Sequence, residues 1–245
     1  SRVTISAPEV TTKTVQGNPV DAHECEQGWI YDSGQAERCP ACDAADERAW
    51  LAARLTQSGV APRYLDVTWD DLEMVEPLPA IKAASERIGD VLASGHNAAF
   101  AGPPGTGKTQ AAVLLARAAV SAGASAAIEN IGRAAMRVRA GYDQAGGETE
   151  AEVVRRLSDV AFLVLDDVGA GEAGEGKLEL RLLYFITEAR QSARRPTVIT
   201  TNLEPKGLRD FLGSRVANRL MPLEVFAFTH GRNFRTPAGG TVWRP

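Results

Sequence analysis

From Ala80 onward the chain alternates between stretches with apolar residues at helical spacing and short, continuous apolar runs. Residues 98–102 (AAFAG), 124–130 (ASAAIEN), 161–167 (AFLVLDD), 197–202 (TVITTN) and 223–228 (LEVFAF) have the length and apolar content of strands buried on both faces. Helical patterns fill the intervals at residues 80–94, 108–122, 131–141, 149–158, 177–193 and 205–218, with a break at Gly146 and Gly147. This alternation predicts an α/β fold around a parallel sheet of about five strands.

The first third of the chain reads differently. Residues 1–20 scatter Thr, Pro and Gly without periodicity and are expected to be a flexible tail. Residues 21–57 form a small module, a Cys-bearing segment followed by a helix over 44–57 with Trp50, Leu51 and Leu55 at helical spacing. Residues 58–79 connect it to the main domain, residues 80–245. Tyr64, Leu65, Val67, Trp69 and Leu72 are apolar anchors in this connector, and prolines at 62, 77 and 79 suit either an ordered brace or a linker.

At 245 residues, 44% hydrophobic and 24% charged, the chain has room for one full domain and a satellite, which excludes fibrous, collagen-like and wholly disordered classes. No run approaches the roughly 18–20 apolar residues of a membrane span, and the polar residues 1–14 lack a signal-peptide core, so a cytoplasmic protein without a membrane partner is expected. The net charge of −4 hides an asymmetry. Residues 1–76 carry 14 acidic and 6 basic side chains, whereas residues 77–245 carry 17 and 21, so only the larger part suits a polyanion.

Residues 102–109 read GPPGTGKT, the GxxxxGK[ST] pattern, placed after a predicted strand and before an Ala/Leu-rich helix. Gly102, Gly105 and Gly107 let such a loop fold around phosphates, and the N-terminus of the following helix adds its dipole. Gly102, Pro103, Pro104, Gly105, Thr106, Gly107, Lys108, Thr109 and Gln110 are therefore the expected ATP-binding residues, with Lys108 on the β/γ phosphates and Thr109 on Mg²⁺. A second apolar run ends in Asp166 and Asp167, where carboxylates meet the loop at the mouth of a parallel sheet. Asp166 is expected in the Mg²⁺ shell and Asp167 beside the attacking water. Asn202, closing TVITTN, is a candidate to reach the γ-phosphate or the attacking water; a cap on the next helix by Asn202 or Thr201 is the alternative, and the two roles are compatible.

In order, GPPGTGKT, FLVLDDVG, ITTN, GSRVANRL and GRNFR resemble the AAA+ ATPases of the DnaC, DnaI and IstB type, bacterial and phage helicase loaders and transposition helpers. The resemblance covers roughly residues 58–236, with SGVAPRYLDVTWDDL similar to the family's connector. It implies the three-layer AAA+ P-loop fold and the role of arginine finger for Arg219, acting on the ATP of a neighbouring subunit. Arg215 would be a second interface arginine and Arg235 a sensor contacting ATP in cis. Asp167 stands where many AAA+ proteins have Glu, which implies slow hydrolysis. Only 43 residues follow Asn202, too few for a full helical lid, so self-association into a ring or spiral is expected to complete the nucleotide site.

His23, Cys25, Cys39 and Cys42 have the ligand types and spacing of a closed tetrahedral Zn²⁺ site around GWIYDSG, a hairpin candidate; buried free thiols and a redox pair are the alternatives. Arg133, Arg137 and Arg139 on the helix over 131–141, with Tyr142 for stacking, are the candidates for single-stranded DNA; a solvated basic face is the alternative. Together these readings imply an ATP-dependent loader whose residues 21–57 dock on a replicative DnaB-type helicase. The competing readings are an IstB-like transposition helper, a nucleotide-bound adaptor with little hydrolysis, and a small-molecule kinase, the last disfavoured by the absence of a substrate-lid pattern.

Overall fold

In the computed structural model, which describes residues 25, 29–32, 35–142, 147–170 and 176–229, the apolar runs become strands. Two compact units part between Arg48 and Ala49. In the first, β1 (Trp29–Asp32) and β2 (Gln35–Arg38) pair antiparallel with Trp29 opposite Arg38 and Asp32 opposite Gln35, a hairpin where GWIYDSG predicted one. Helix α1 (Pro40–Gln57) follows, with Pro40 at its first position, where a missing N–H costs nothing. Its last turns belong to the second unit, and Leu55 is fully buried in that unit's core. His23 and Arg235 lie outside the described residues.

The second unit runs α2 (Leu78–Glu86), α3 (Ile88–Ser94), β3 (Asn97–Ala101), α4 (Lys108–Ser121), β4 (Ala126–Asn130), α5 (Ile131–Tyr142) and α6 (Glu150–Asp159). It continues through β5 (Phe162–Asp166), α7 (Gly176–Ser192), β6 (Thr197–Thr201), α8 (Pro205–Arg219) and β7 (Leu223–Ala227). The predicted helix over 80–94 is two helices, because Arg87 leaves helical geometry at φ −114°, ψ 39°. Helix α8 kinks at Gly213 (φ 65°, ψ 167°), so Arg215 and Arg219 sit on the short segment beyond the kink. Among the described residues no helix follows α8.

The five strands form one parallel sheet in the order β4-β5-β6-β3-β7. Side chains alternate between its faces. Phe162 and Val164 join a core with Leu78, Ile81, Phe100 and the apolar face of α4. Leu163, Leu165 and Ile199 join a second core with Ile131, Val138, Leu157, Leu182 and Val216 from α5 to α8. Helices thus cover both faces, the three-layer AAA+ arrangement. The connector is an ordered brace: Pro62–Tyr64 and Trp69–Asp71 form 3₁₀ turns, and Tyr64, Leu65, Val67 and Trp69 pack on the first core. Arg117 of α4 donates to the Leu65 carbonyl.

Arg190, 1% exposed, fastens the far end of the sheet. Its guanidinium donates to Thr197 Oγ1 and to the carbonyls of Leu157, Val160 and Pro196. Burial, with Arg195 nearby, draws its pKa down to about 9, so it stays charged at neutral pH and those acceptors are obligatory.

Candidate functional site

The carboxyl ends of the parallel strands open into a cleft of about 770 Å³. Its wall includes Gly105, Gly107, Lys108, Thr109 and Gln110 from the loop and the start of α4, Asp166 at the end of β5 with Asp167 just beyond it, and Thr200 in β6 with Asn202 just beyond that strand. Sequence separates these groups by up to a hundred residues, and the parallel register brings them together. The loop requires glycine where backbone approaches backbone. A Cβ on Gly102 (φ 151°) would lie 2.3 Å from the Phe228 carbonyl oxygen, so a side chain there would force the loop off β7. Gly107 takes φ 90° immediately before α4 and turns the chain so that the helix N-terminus faces the cleft.

Lys108 is only 6% exposed, and its ammonium donates to the carbonyls of Gly102 at 2.7 Å and Pro103 at 2.6 Å. Thr106 Oγ1 donates to the same Pro103 carbonyl at 2.9 Å, which stiffens the loop. The lysine is thus already desolvated beside the N-terminus of α4, an arrangement suited to a polyphosphate.

Thr109 Oγ1 donates to Asp166 Oδ1 at 2.9 Å. Neighbouring ligands of an octahedral Mg²⁺ at about 2.1 Å stand about 3.0 Å apart, so this hydroxyl and carboxylate fit one ion. Asp167 has φ 59°, a conformation uncommon outside glycine, and its Oδ1 accepts from Asn202 Nδ2 at 2.9 Å. Asn202 therefore faces the acidic pair and makes no cap to α8, whose N-cap residue is Glu204.

Sequence patterning passed over three parts of this cleft. Gly59, Val60, Ala61, Arg63 and Tyr64 of the connector line it; the sequence marks this stretch only by its apolar anchors and its proline. Glu129 and Asn130 line it at the end of β4, and their signal is a polar pair closing an apolar strand. Thr200 is 2% exposed inside TVITTN, where a Thr reads as a β-branched strand former.

The arginines divide between cleft and surface. Arg133 and Arg137 line the cleft. Arg137 pairs with Glu129 at 2.7 Å and Glu148 at 3.1 Å, and Arg156 shares both acids. The Glu129 carboxylate, seconded by Glu148, raises the Arg137 pKa. Arg139 is half-buried, and Tyr142, with its ring exposed, donates its hydroxyl to Glu150 at 2.6 Å. Arg215 and Arg219 are not among the lining residues. Arg219 stacks 4.2 Å from the Tyr184 ring centroid, donates to the Tyr184 hydroxyl at 2.8 Å, and meets Glu188 at 3.4 Å.

In the first unit the Sγ atoms of Cys25, Cys39 and Cys42 lie within 4.8 Å of one another, Cys25 and Cys42 at 3.5 Å. Ligands of a tetrahedral zinc with Zn–S bonds of about 2.3 Å stand about 3.8 Å apart, so the three thiols fit a shared ion. The backbone N–H of Cys42 holds the Cys39 thiol below its ordinary pKa, while the hydrogen bond shared with Cys25, aided by burial, pushes Cys42 up to about 12. Three soft donors gathered in one unit favour a metal over scattered free thiols.

A model of the IstB-like ATP binding protein family matches residues 71–217. Uncharacterized protein YdaV of Escherichia coli K12 is 26% identical over 194 residues, 78% of this chain and 76% of its own. The replicative helicase loader DnaC is 24% identical over 194 residues in Escherichia coli K12, covering 78% of both chains. The DnaC of Buchnera aphidicola from Acyrthosiphon pisum is 26% identical over 171 residues, 68% of each chain. In fold, the chain resembles the crystal structure of the DnaC helicase loader with a TM-score of 0.55 at 22% identity, over 68% of this chain and 99% of that one. The DnaI structure gives a TM-score of 0.55 at 19% identity, over 69% and 94%.

Proposed function

Because the chain belongs to the family of IstB-like ATP binding proteins, we propose that it is an ATP-dependent loader of a replicative DnaB-type helicase. The observation that carries the reading is the meeting of Lys108, Thr109, Asp166, Asp167 and Asn202 in one cleft. The resemblance to chains named replicative helicase loader supports the choice of partner.

Lys108 and the amides at the start of α4 bind the β/γ phosphates, exchanging the Gly102 and Pro103 carbonyls for phosphate oxygens. Thr109 and Asp166 would hold Mg²⁺, which would supply positive charge to the transferring phosphoryl group. Asp167 orients or deprotonates the attacking water, with Asn202 fixing its carboxylate. Asp167 is a methylene shorter than Glu, so turnover is slow. Arg219 lies outside its own cleft, so its use in hydrolysis requires a second copy of the chain in a ring or spiral, with Arg215 beside it at the interface.

Residues 21–57 form the helicase-docking module, folded around Zn²⁺ on Cys25, Cys39 and Cys42, with His23 as the fourth ligand. Residues 58–79 connect it to the ATPase domain, residues 80–245, on whose core they pack. Arg133, Arg137, Arg139 and Tyr142 face single-stranded DNA. For Arg137 this contact means exchanging Glu129 and Glu148 for phosphates, which makes DNA binding sensitive to salt. Arg235 is the cis sensor.

ATP turnover with and without single-stranded DNA, for the parent and for Arg219→Ala, tests the reading. Stimulation by DNA that falls about 100-fold in the variant is expected. A rate indifferent to DNA and to the substitution would instead identify a nucleotide-bound adaptor. The family match also keeps an IstB-like transposition helper as a second reading, distinguished by a preference for duplex DNA.

A further inference from the structure

We propose that Thr200 is a positioning residue for ATP hydrolysis, setting the two acidic residues of the cleft from the neighbouring strand. The inference rests on the ATPase reading above.

The ladder between β5 and β6 ends at the pair Leu165 and Ile199. One residue further along each strand stand Asp166 and Thr200, and from there the pairing passes to side chains. Thr200 Oγ1 donates to Asp166 Oδ1 at 2.6 Å and accepts the Asp167 N–H at 2.9 Å. The Thr200 carbonyl accepts the Val168 N–H at 2.8 Å, and Thr201 Oγ1 donates to the Val168 carbonyl at 2.7 Å. The turn carrying both acids is thus fastened to β6 over two consecutive threonines.

Their hydroxyls do different work. Thr201 links the Val168 carbonyl to the Leu203 amide and touches neither acid, whereas Thr200 touches both, spending its single proton on the Asp166 carboxylate and a lone pair on the Asp167 amide. At 2% exposure, Thr200 leaves little room for water to replace either bond. Asp166 Oδ1 thereby receives two hydroxyls, Thr109 from α4 and Thr200 from β6, which fixes the rotation of its carboxylate. Asp167 sits at φ 59°, and the bonds from Thr200 to its amide and from Asn202 to its carboxylate oppose relaxation at both ends. Serine keeps a hydroxyl here; valine keeps the shape of threonine and loses both bonds.

The phosphate loop and Lys108 make no hydrogen bond to Thr200 among the described contacts, so nucleotide affinity and turnover separate. Thr200→Val is expected to bind ATP within about threefold of the parent and to lose about 10- to 100-fold in kcat, with a single cooperative melting transition, lowered by the two lost bonds, reporting an intact fold. Thr200→Ser is expected to recover kcat to within about threefold. A Thr200→Val protein with parental kcat would overturn the proposal, as would a Thr200→Ser protein as slow as the valine variant, since packing of the methyl group would then be the cause. Absence of turnover in the parent, even with single-stranded DNA and helicase, would refute the ATPase reading. Thr200 is then judged by the Mg²⁺ concentration for half-maximal binding of a fluorescent ATP analogue. An increase of about tenfold in Thr200→Val supports the proposal, and an unchanged value overturns it.

Discussion

At the residue scale, the site is a set of short bonds that leave few groups idle. Lys108 is held by two loop carbonyls and Asp166 by two hydroxyls, so ligand binding replaces existing contacts without ordering loose side chains. On the proposed reading, removing the Lys108 ammonium takes away the cation that meets the β/γ phosphates. Lys108→Ala is expected to weaken ATP binding at least about 100-fold, or about 2.7 kcal/mol, measured by titration calorimetry; retained affinity would refute the role given to the loop. Lys108 and Thr109 were legible in the sequence because their chemistry is local, a glycine-rich turn between a strand and a helix. Thr200 was not, because a threonine inside an apolar strand satisfies β-propensity whether or not its hydroxyl has a partner. Arg137 was legible as a cation on a helix face, but the acids that hold it come from β4 and from the segment just before α6.

At the scale of elements, what the period of apolar residues marks is the strand and the long helix. The segment 161–167 contains β5 (Phe162–Asp166), and TVITTN contains β6 (Thr197–Thr201), each strand starting at or near the first apolar residue of its run. Interruptions were less visible. Apolar residues continue across Arg87 and Gly213, so neither the break between α2 and α3 nor the kink in α8 disturbs the pattern, although the backbone leaves helical geometry at both. The hairpin and the first turn of α1 bring Cys39 and Cys42 close to Cys25, and so short a segment has little apolar core of its own. Cys39→Ser is therefore expected to abolish bound zinc and to unfold the first unit, with ATP affinity unchanged because the cleft is lined by residues from Gly59 onward. Atomic emission for zinc and a nucleotide titration check both halves, and a parental zinc content would contradict the metal site.

At the scale of the whole molecule, topology joins what patterning leaves apart. Alternating strands and helices predict a parallel sheet, but the order β4-β5-β6-β3-β7 depends on pairings between distant segments that no local period encodes. That order sets β6 between β3 and β5, and so places Asn202 and Thr200 between the phosphate loop and the acidic pair. Among the described residues no helix is long and apolar enough to cross a membrane. Arg219 stands outside the cleft of its own chain, and the first unit ends before the connector that lines that cleft. On the proposed reading, hydrolysis draws on a second copy and docking on a helicase.

Light scattering of the full chain mixed with the replicative helicase of its host, in ATP and Mg²⁺, tests this account most directly, with a chain lacking residues 1–48 as the comparison because Leu51 and Leu55 belong to the main core. The account predicts a complex several copies larger than the helicase alone that forms with the full chain and not with the shortened one. A helicase whose mass stays unchanged in every nucleotide state would contradict it.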